Sequence, residues 1–582
     1  MTTEHFLPAQ QHPGAARKAE GFVTPIQDKK PQCARMLPKR VLPIIFLPGI
    51  MGSNLCMSAA RQKQLGKSDN ISWRPDVLGP TNITGAATET PAERQLRLDP
   101  LQTTVDIYDP SGLADVSGDG RNDNVELDSN FRSPLLTDDP QTAKNRRTAV
   151  QKARARGWGE VFFKSYGEFL QHLETRLNNT FFQGKIRQEW RDVVDVDPNR
   201  WSSDPSLPQK TLTEEELKKI STGCWFAVYA FGYNWLQSNG ESARIIAKRI
   251  ARAIDDLNQS GYECNQVIIV THSMGGLVGR ALVHPKFGNL QEKVLGIVHG
   301  VMPSIGAPAA YKRMRAGFED PGMMGNPVES IGAKVAGNYG DEVTAVLANS
   351  PGALQLLPSE SYGNGWLRVT HNGRELESWP KHGDPYSEIY KVKGKWYSLF
   401  LEEWINPSDL PADKGGGTFE KTCLHLDNAQ AFHKMISNTF HSNSYAHYGA
   451  DRGRQSFAEV IWAIDKNCAD PSDWKDWPII SDNKQGTVQL VRWDPVIPNK
   501  ALYPFVNGIP KSIHATILPP SAPGDQTVPA RSADHQLKSG MFKGVFRQTG
   551  YEHQSSYKDP RAIASTLYSI VRIAQNAKWK CK

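Results

Sequence analysis

The sequence predicts an α/β chain built on a doubly wound, mostly parallel sheet that carries large insertions. Three observations predict it. Apolar runs such as VLPIIFLPGIMGSNL (Val41 to Leu55) and QVIIVTHS (Gln266 to Ser273) are continuous rather than alternating, as strands buried on both faces must be. Amphipathic helical periods alternate with these runs, the pattern of strand, helix, strand that folds into a parallel sheet. At 582 residues the chain exceeds one ordinary core, so a core with insertions accounts for both its length and the scattered placement of the runs.

Taken in order, residues 1–39 are rich in Gln, Pro, Ala and charge without a sustained apolar period and read as a flexible arm. The core occupies 40–55, 223–309 and 491–582. Its middle block contains a strand over Trp225 to Trp235 and a helix over Glu241 to Leu257, with Ile245, Ile246, Ile250, Ile254 and Leu257 on one side. The run ending at Ser273 follows, then a helix opening at Gly275 and a strand over Lys293 to Met302. The last block holds SIHATILPPS, a strand over Met541 to Gln548 and a closing helix from Asp559. Residues 56–222 and 310–490 have weaker periodicity and many Pro, Gly and Trp, and are expected to form a cap.

Composition narrows the function classes. A net charge of +7, from 68 basic and 61 acidic residues, is too dilute for a nucleic-acid partner; it reads first as ordinary solubility charge, and peripheral contact with an anionic membrane is the other reading. The seven cysteines are scattered with no metal-ligand spacing, which excludes a disulfide scaffold or a zinc module. The opening MTTEHFLPAQQHPGAARKAEGF lacks the basic-then-apolar pattern of a signal peptide. Synthesis in the cytoplasm is therefore expected, with any action elsewhere depending on other machinery.

The segment VIIVTHSMGGLVGRAL carries the chemistry. A hydrolase of the α/β class presents its serine on a sharp turn between a buried strand and a helix, so small-x-Ser-x-Gly follows an apolar run. Ser273 occupies that place, with Thr271 where glycine is usual; the turn must open slightly or Thr271 must point into a pocket. Attack on an ester creates an oxyanion that needs two backbone N–H donors. Met274, the residue after the serine, is one candidate; Ile50 in FLPGIMGS, with Met51 as the alternative, is the other. A neutral serine also needs a histidine to take its proton and a carboxylate to orient that histidine. In chain order Ser, acid, His, the loop residues Asp525 in APGDQTVPARSA and His553 in GYEHQSSY suit these roles. His535, His441 and His447 compete as base, and Asp534 and Glu552 as acid, but none is as well placed at a strand end.

The combination PGIMGSNL, FGYNWLQSN, THSMGGLVGR, GDQTVP and EHQSSY resembles the lecithin:cholesterol acyltransferase and GPI inositol-deacylase branches of the lipases. Among bacterial proteins the chain is similar to the type VI secretion lipase effectors, across the core blocks and hardly at all in the insertions. The resemblance implies the α/β-hydrolase fold, Asp525 as acid and His553 as base. It also implies phospholipid deacylation at a rival cell's membrane after export through a secretion apparatus, and a cognate immunity protein. No cofactor is required by such a triad. An acyltransferase would use the same residues, with an alcohol replacing water. A non-catalytic membrane- or partner-binding toxin on the same scaffold is the reading from another class.

Two features lie in the first insertion. Gly157 to Leu177 places Val161, Phe162, Tyr166, Phe169, Leu170, Leu173 and Leu177 at roughly helical spacing, as in a lid that opens toward lipid or a helix packed on the core. LADVSGDGRNDNVELD sets Asp115, Ser117, Asp119, Arg121, Asp123 and Glu126 at the spacing of a calcium loop, with Gly120 at its turn. A structural Ca2+ is one expectation for it; a solvated acidic loop is the other.

Overall fold

The continuous apolar runs pair with one another as parallel strands. The computed structural model describes residues 40–77, 88–107, 124–222, 224–319, 337–411, 416–465, 471–491 and 512–579, with three short strands among residues 10–36. The central sheet consists of β1 (Ile44–Leu47), β2 (Val228–Ala230), β3 (Val267–His272), β4 (Val294–Gly300), β5 (Ser444–Gly449) and β6 (Phe542–Gln548). They lie in the order β2-β1-β3-β4-β5-β6, and every neighbouring pair is parallel.

Both faces of this sheet are covered, which is why β1, β3 and β4 carry no polar alternation. Ile45, Leu47, Ile269 and Ile297 face one apolar layer, packed with α2 (Asn239–Gln259) and α3 (Gly275–Val283). Ile44, Phe46, Ile268 and Val270 face the other, packed with α1 (Phe163–Asn178) and with α5 (Pro560–Ala574), which follows α4 (Phe419–Ile436) in the chain. On α2 the buried stripe runs through Ile246, Ile250 and Ile254; Ile245, expected on the same side, is 46% exposed.

A second sheet is built from the other segments. Its order is Arg374–Trp379, Leu367–His371, Val460–Ile464, Ser512–Ile517, Thr487–Val491 and Ile479–Asp482.

Two core boundaries therefore differ from expectation. β5 belongs to the central sheet although it falls within 310–490, and Ser512–Ile517, expected in the core, joins the second sheet. The physical reason is composition. β5 reads SYAHYG, fully buried but without an apolar run, whereas Ser512–Ile517 is apolar at alternate positions, as suits a strand of a mixed sheet.

Within residues 1–39, read from composition as a flexible arm, Gln10–Gln11, Arg17–Gly21 and Gln32–Met36 pair antiparallel. Ladder pairing uses backbone groups that every non-proline residue has, so polar composition does not forbid it.

The helix once open to a lid reading, α1, is part of the core layer. Tyr166, Phe169, Leu170, Leu173 and Leu177 are buried in it. Its buried Glu174 accepts from the Val228 amide of β2 at 2.7 Å, and Asn178 exchanges hydrogen bonds with the Phe226 backbone at 2.7 and 2.9 Å. No described helix is long and apolar enough to cross a membrane.

Candidate active site

Ser273 stands between β3 and α3 with φ of +52°, a left-handed conformation that a side chain enters only at a cost. The turn is held by the Ser273 N–H donating to the Gly300 carbonyl of β4 at 2.9 Å. Gly275 is required by space: a Cβ there would lie 2.5 Å from the backbone oxygens of Leu47 and Pro48. Thr271, the departure from the usual glycine, is buried, and a Cβ added at Gly279 would stand 3.2 Å from its Cγ2. The bulk added at 271 is thus accommodated by the bulk missing at 279.

Asp525 and His553 arrive from loops after Ala522–Gly524 and after β6. The His553 Nδ1–H donates to Asp525 Oδ2 at 2.9 Å, and Nε2 lies 2.8 Å from Ser273 Oγ, placed to accept its proton. The other carboxylate oxygen, Oδ1, accepts from the Thr527 and Val528 amides at 3.1 and 2.7 Å, and the His553 N–H donates to the Asp525 carbonyl at 2.9 Å. Asp525, Ser273 and His553 are 1, 5 and 8% exposed, so this chain of hydrogen bonds runs in a largely dry environment where each link is electrostatically strengthened.

Ile50 and Met274, the expected oxyanion donors, flank this point. Ile50 lines the same cavity as Ser273, and Met274 forms the first turn after it. Among the described residues neither amide has an acceptor, which is the state required of a donor held for a reacting oxygen. Met51, with φ of +60°, directs its carbonyl to the Trp73 indole N–H at 2.7 Å.

The competing groups are engaged elsewhere. His535 sits on a short helix, 3.1 Å from Ser304 Oγ, and His441 accepts from the Asn443 amide. His447 is buried in β5 beside Tyr557. Asp534 accepts from the Tyr448 hydroxyl and from Arg547, while Glu552 caps the Gln554 and Ser555 amides.

Above Ser273 opens a cavity of about 430 Å3, walled by apolar side chains including Trp73, Phe162, Met314, Leu347 and Phe457. That size and character suit an apolar chain delivered to a polar reacting point.

Two residues complete the surroundings: Tyr166 of α1, which the sequence pattern placed only on an apolar helical stripe, and His272, to which it gave no role. Tyr166 Oη is 3.0 Å from His272 Nδ1, and His272 Nε2 is 3.0 Å from the His553 carbonyl. Burial, reinforced by the neighbouring His553, pushes the pKa of His272 down to about 3. Burial pushes Tyr166 up to about 12. His272 stands inside the serine motif, yet nothing local ties it to a tyrosine 106 residues away.

In the expected calcium loop, Asp115, Ser117, Asp119, Arg121 and Asp123 lie outside the described residues; Glu126 is exposed. Among the described residues no group of His, Cys, Asp or Glu is arranged to hold a metal ion.

No protein-family model matches the chain, and no curated protein matches it. A solved structure described as "The crystal structure of Tle4-Tli4 complex" is similar, with 30% sequence identity and a TM-score of 0.71 over 93% of this chain and 99% of that one. That identity, sustained over nearly the whole length of both chains, shows that the protein belongs to the family of bacterial type VI secretion lipase effectors that includes Tle4.

Proposed function

We propose that the protein is a lipolytic serine hydrolase of the α/β-hydrolase fold, with much of 56–222 and of 310–490 as cap insertions, and that it cleaves acyl esters of membrane phospholipids. The observation that carries this reading is the hydrogen-bonded chain Asp525–His553–Ser273 at 2.9 and 2.8 Å beneath an apolar cavity.

The chemistry follows from that geometry. Ser273 Oγ attacks the ester carbonyl carbon while His553 Nε2 takes the hydroxyl proton. The carbonyl oxygen becomes an oxyanion, received by the Ile50 and Met274 amides. His553, now an imidazolium stabilised by Asp525, gives its proton to the departing alcohol oxygen as the carbon–oxygen bond breaks. An acyl-serine remains. Water, deprotonated by His553, attacks it, and collapse releases the fatty acid and returns the proton to Ser273. No cofactor enters either step.

The remainder of the proposal rests on family membership. The chain is made in the cytoplasm, delivered by the type VI apparatus, and acts peripherally at the membrane of a target cell as a toxin. The similar structure is a Tle4-Tli4 complex, which supports a cognate immunity protein as partner here. Fatty-acid release from mixed phospholipid vesicles tests the reading: release by the native chain that disappears in Ser273→Ala supports it. Equal release by both, or none from the folded native chain, overturns it.

A further inference from the structure

Three backbone segments must hold their relative positions for the proposed chemistry: the Gly49–Ile50 loop, the serine turn and the His553 loop. A buried polar chain touches all three. The Gly49 N–H donates to Tyr166 Oη at 3.4 Å, Tyr166 bonds His272 Nδ1 at 3.0 Å, and His272 Nε2 bonds the His553 carbonyl at 3.0 Å. The approach is close throughout, since a Cβ on Gly49 would lie 2.9 Å from His272 Nδ1 and 3.0 Å from Ser273 Cβ.

The chain has a single consistent proton arrangement. A backbone carbonyl can only accept, so His272 carries its proton on Nε2. A neutral ring then has a bare Nδ1, which must accept from the Tyr166 O–H. The phenol oxygen is left to accept from Gly49. The groups facing the ring are Tyr166 on α1, the His553 ring at 5.2 Å, Tyr557 at 6.0 Å and His447, with no carboxylate among them to favour an imidazolium.

The support beneath the chain is rigid. Phe169 stacks on Tyr557 at 4.0 Å, and Glu174 and Asn178 fasten α1 to the backbone at β2 and just before it. Gln554, next to His553, donates to Ser165 Oγ of α1 at 2.7 Å. Tyr166 and His272 are each 1% exposed, and polar groups so buried are costly unless every donor and acceptor is used. An apolar pair would fill the space, but it would tie no loops together.

We propose that Tyr166 and His272 are positioning residues, a buried relay that holds the Ile50 amide and the His553 backbone in fixed relation to Ser273. This rests on the serine-hydrolase reading above. The first insertion thereby supplies part of the active-site frame, through a helix packed on the central sheet.

The test uses the full chain with a soluble short-chain ester. Tyr166→Phe keeps the volume and removes the hydroxyl; kcat is expected to fall about tenfold, the scale of one lost hydrogen bond to a positioned group, with KM and the pH midpoint of kcat unchanged. His272→Gln, which keeps an N–H toward the His553 carbonyl, is expected to retain more activity than His272→Ala. Native kcat in Tyr166→Phe, or equal loss in the two His272 variants, overturns the relay. Nitrogen-15 NMR of labelled histidines in the native chain gives a readout independent of activity: His272 is expected to stay neutral with its proton on Nε2 between about pH 8 and 5. A ring that protonates in that range, or carries its proton on Nδ1, overturns the relay. If Ser273→Ala is as active as the native chain, the hydrolase reading fails, while the tautomer measurement still decides whether the relay exists.

Discussion

Replacing Asp525 by Asn tests the proposed base through a conflict that the structure makes specific. The Oδ1 position of Asp525 faces two donors, the Thr527 and Val528 amides, and Oδ2 faces the Nδ1–H of His553. An asparagine has one oxygen, and the two amides claim it. Its NH2 must then face His553 Nδ1, donor against donor. The imidazole escapes by moving its proton to Nε2, which turns an N–H toward Ser273 Oγ, 2.8 Å away, and leaves no acceptor for the serine proton. Side-chain volume and fold are kept while the base is lost. By the scale of this substitution in serine-histidine-aspartate sites, kcat is expected to fall about ten-thousand-fold, roughly 5 kcal/mol of barrier. Initial rates of fatty-acid release and a thermal midpoint, measured side by side, check it. A kcat within about tenfold of native in a folded Asp525→Asn would refute the base assignment.

Other consequences follow from particular contacts. Ser273→Gly is expected to be roughly 1 kcal/mol more stable than Ser273→Ala in urea denaturation, because only glycine takes the +52° φ without cost; equal stabilities would show the turn to be unstrained. Arg280, 2% exposed, donates to the Ser304 carbonyl after β4 and to the Ile436, Ser437 and Thr439 carbonyls at and beyond the end of α4, and lies over the Phe440 ring. Arg280→Leu leaves those oxygens without that donor and should cost about 3 kcal/mol or more, read from the denaturation midpoint. Burial lowers His272 and His299 to about 3 and His433 and His447 to about 4, below the ordinary 6.5. The unfolded chain then binds the extra protons. The stability tied to these rings is therefore complete above about pH 6.5 and lost as pH falls to about 4 for His433 and His447 and to about 3 for His272 and His299, by up to roughly 1.4 kcal/mol per unit for each ring. A denaturation free energy that stays flat between pH 7 and 5 would contradict this. The calcium loop proposed over Asp115 to Glu126 predicts that calcium raises the thermal midpoint of the metal-stripped chain while magnesium does not; no shift would leave the segment a solvated acidic loop.

What the sequence by itself determined is local. Apolar runs and glycine spacing placed β1, β3, the turn at Ser273 and α3, because residues a few positions apart decide whether a segment can be buried on both faces and whether a helix can pass close to a strand. Asp525 and His553 were legible as loop residues after apolar segments, in the order this kind of chemistry follows. Tertiary structure alone decided the rest. It put SYAHYG into the central sheet and Ser512–Ile517 into another, since the strands each one pairs with lie far away in the sequence and meet it only in the folded chain. It fitted Thr271 against Gly279, and it buried Arg280 among carbonyls from two distant segments. It also joined Tyr166 to His272 across 106 residues. A hydrogen bond between such distant residues leaves no period in the sequence, because it exists only once α1 has docked on the sheet and closed the intervening loops.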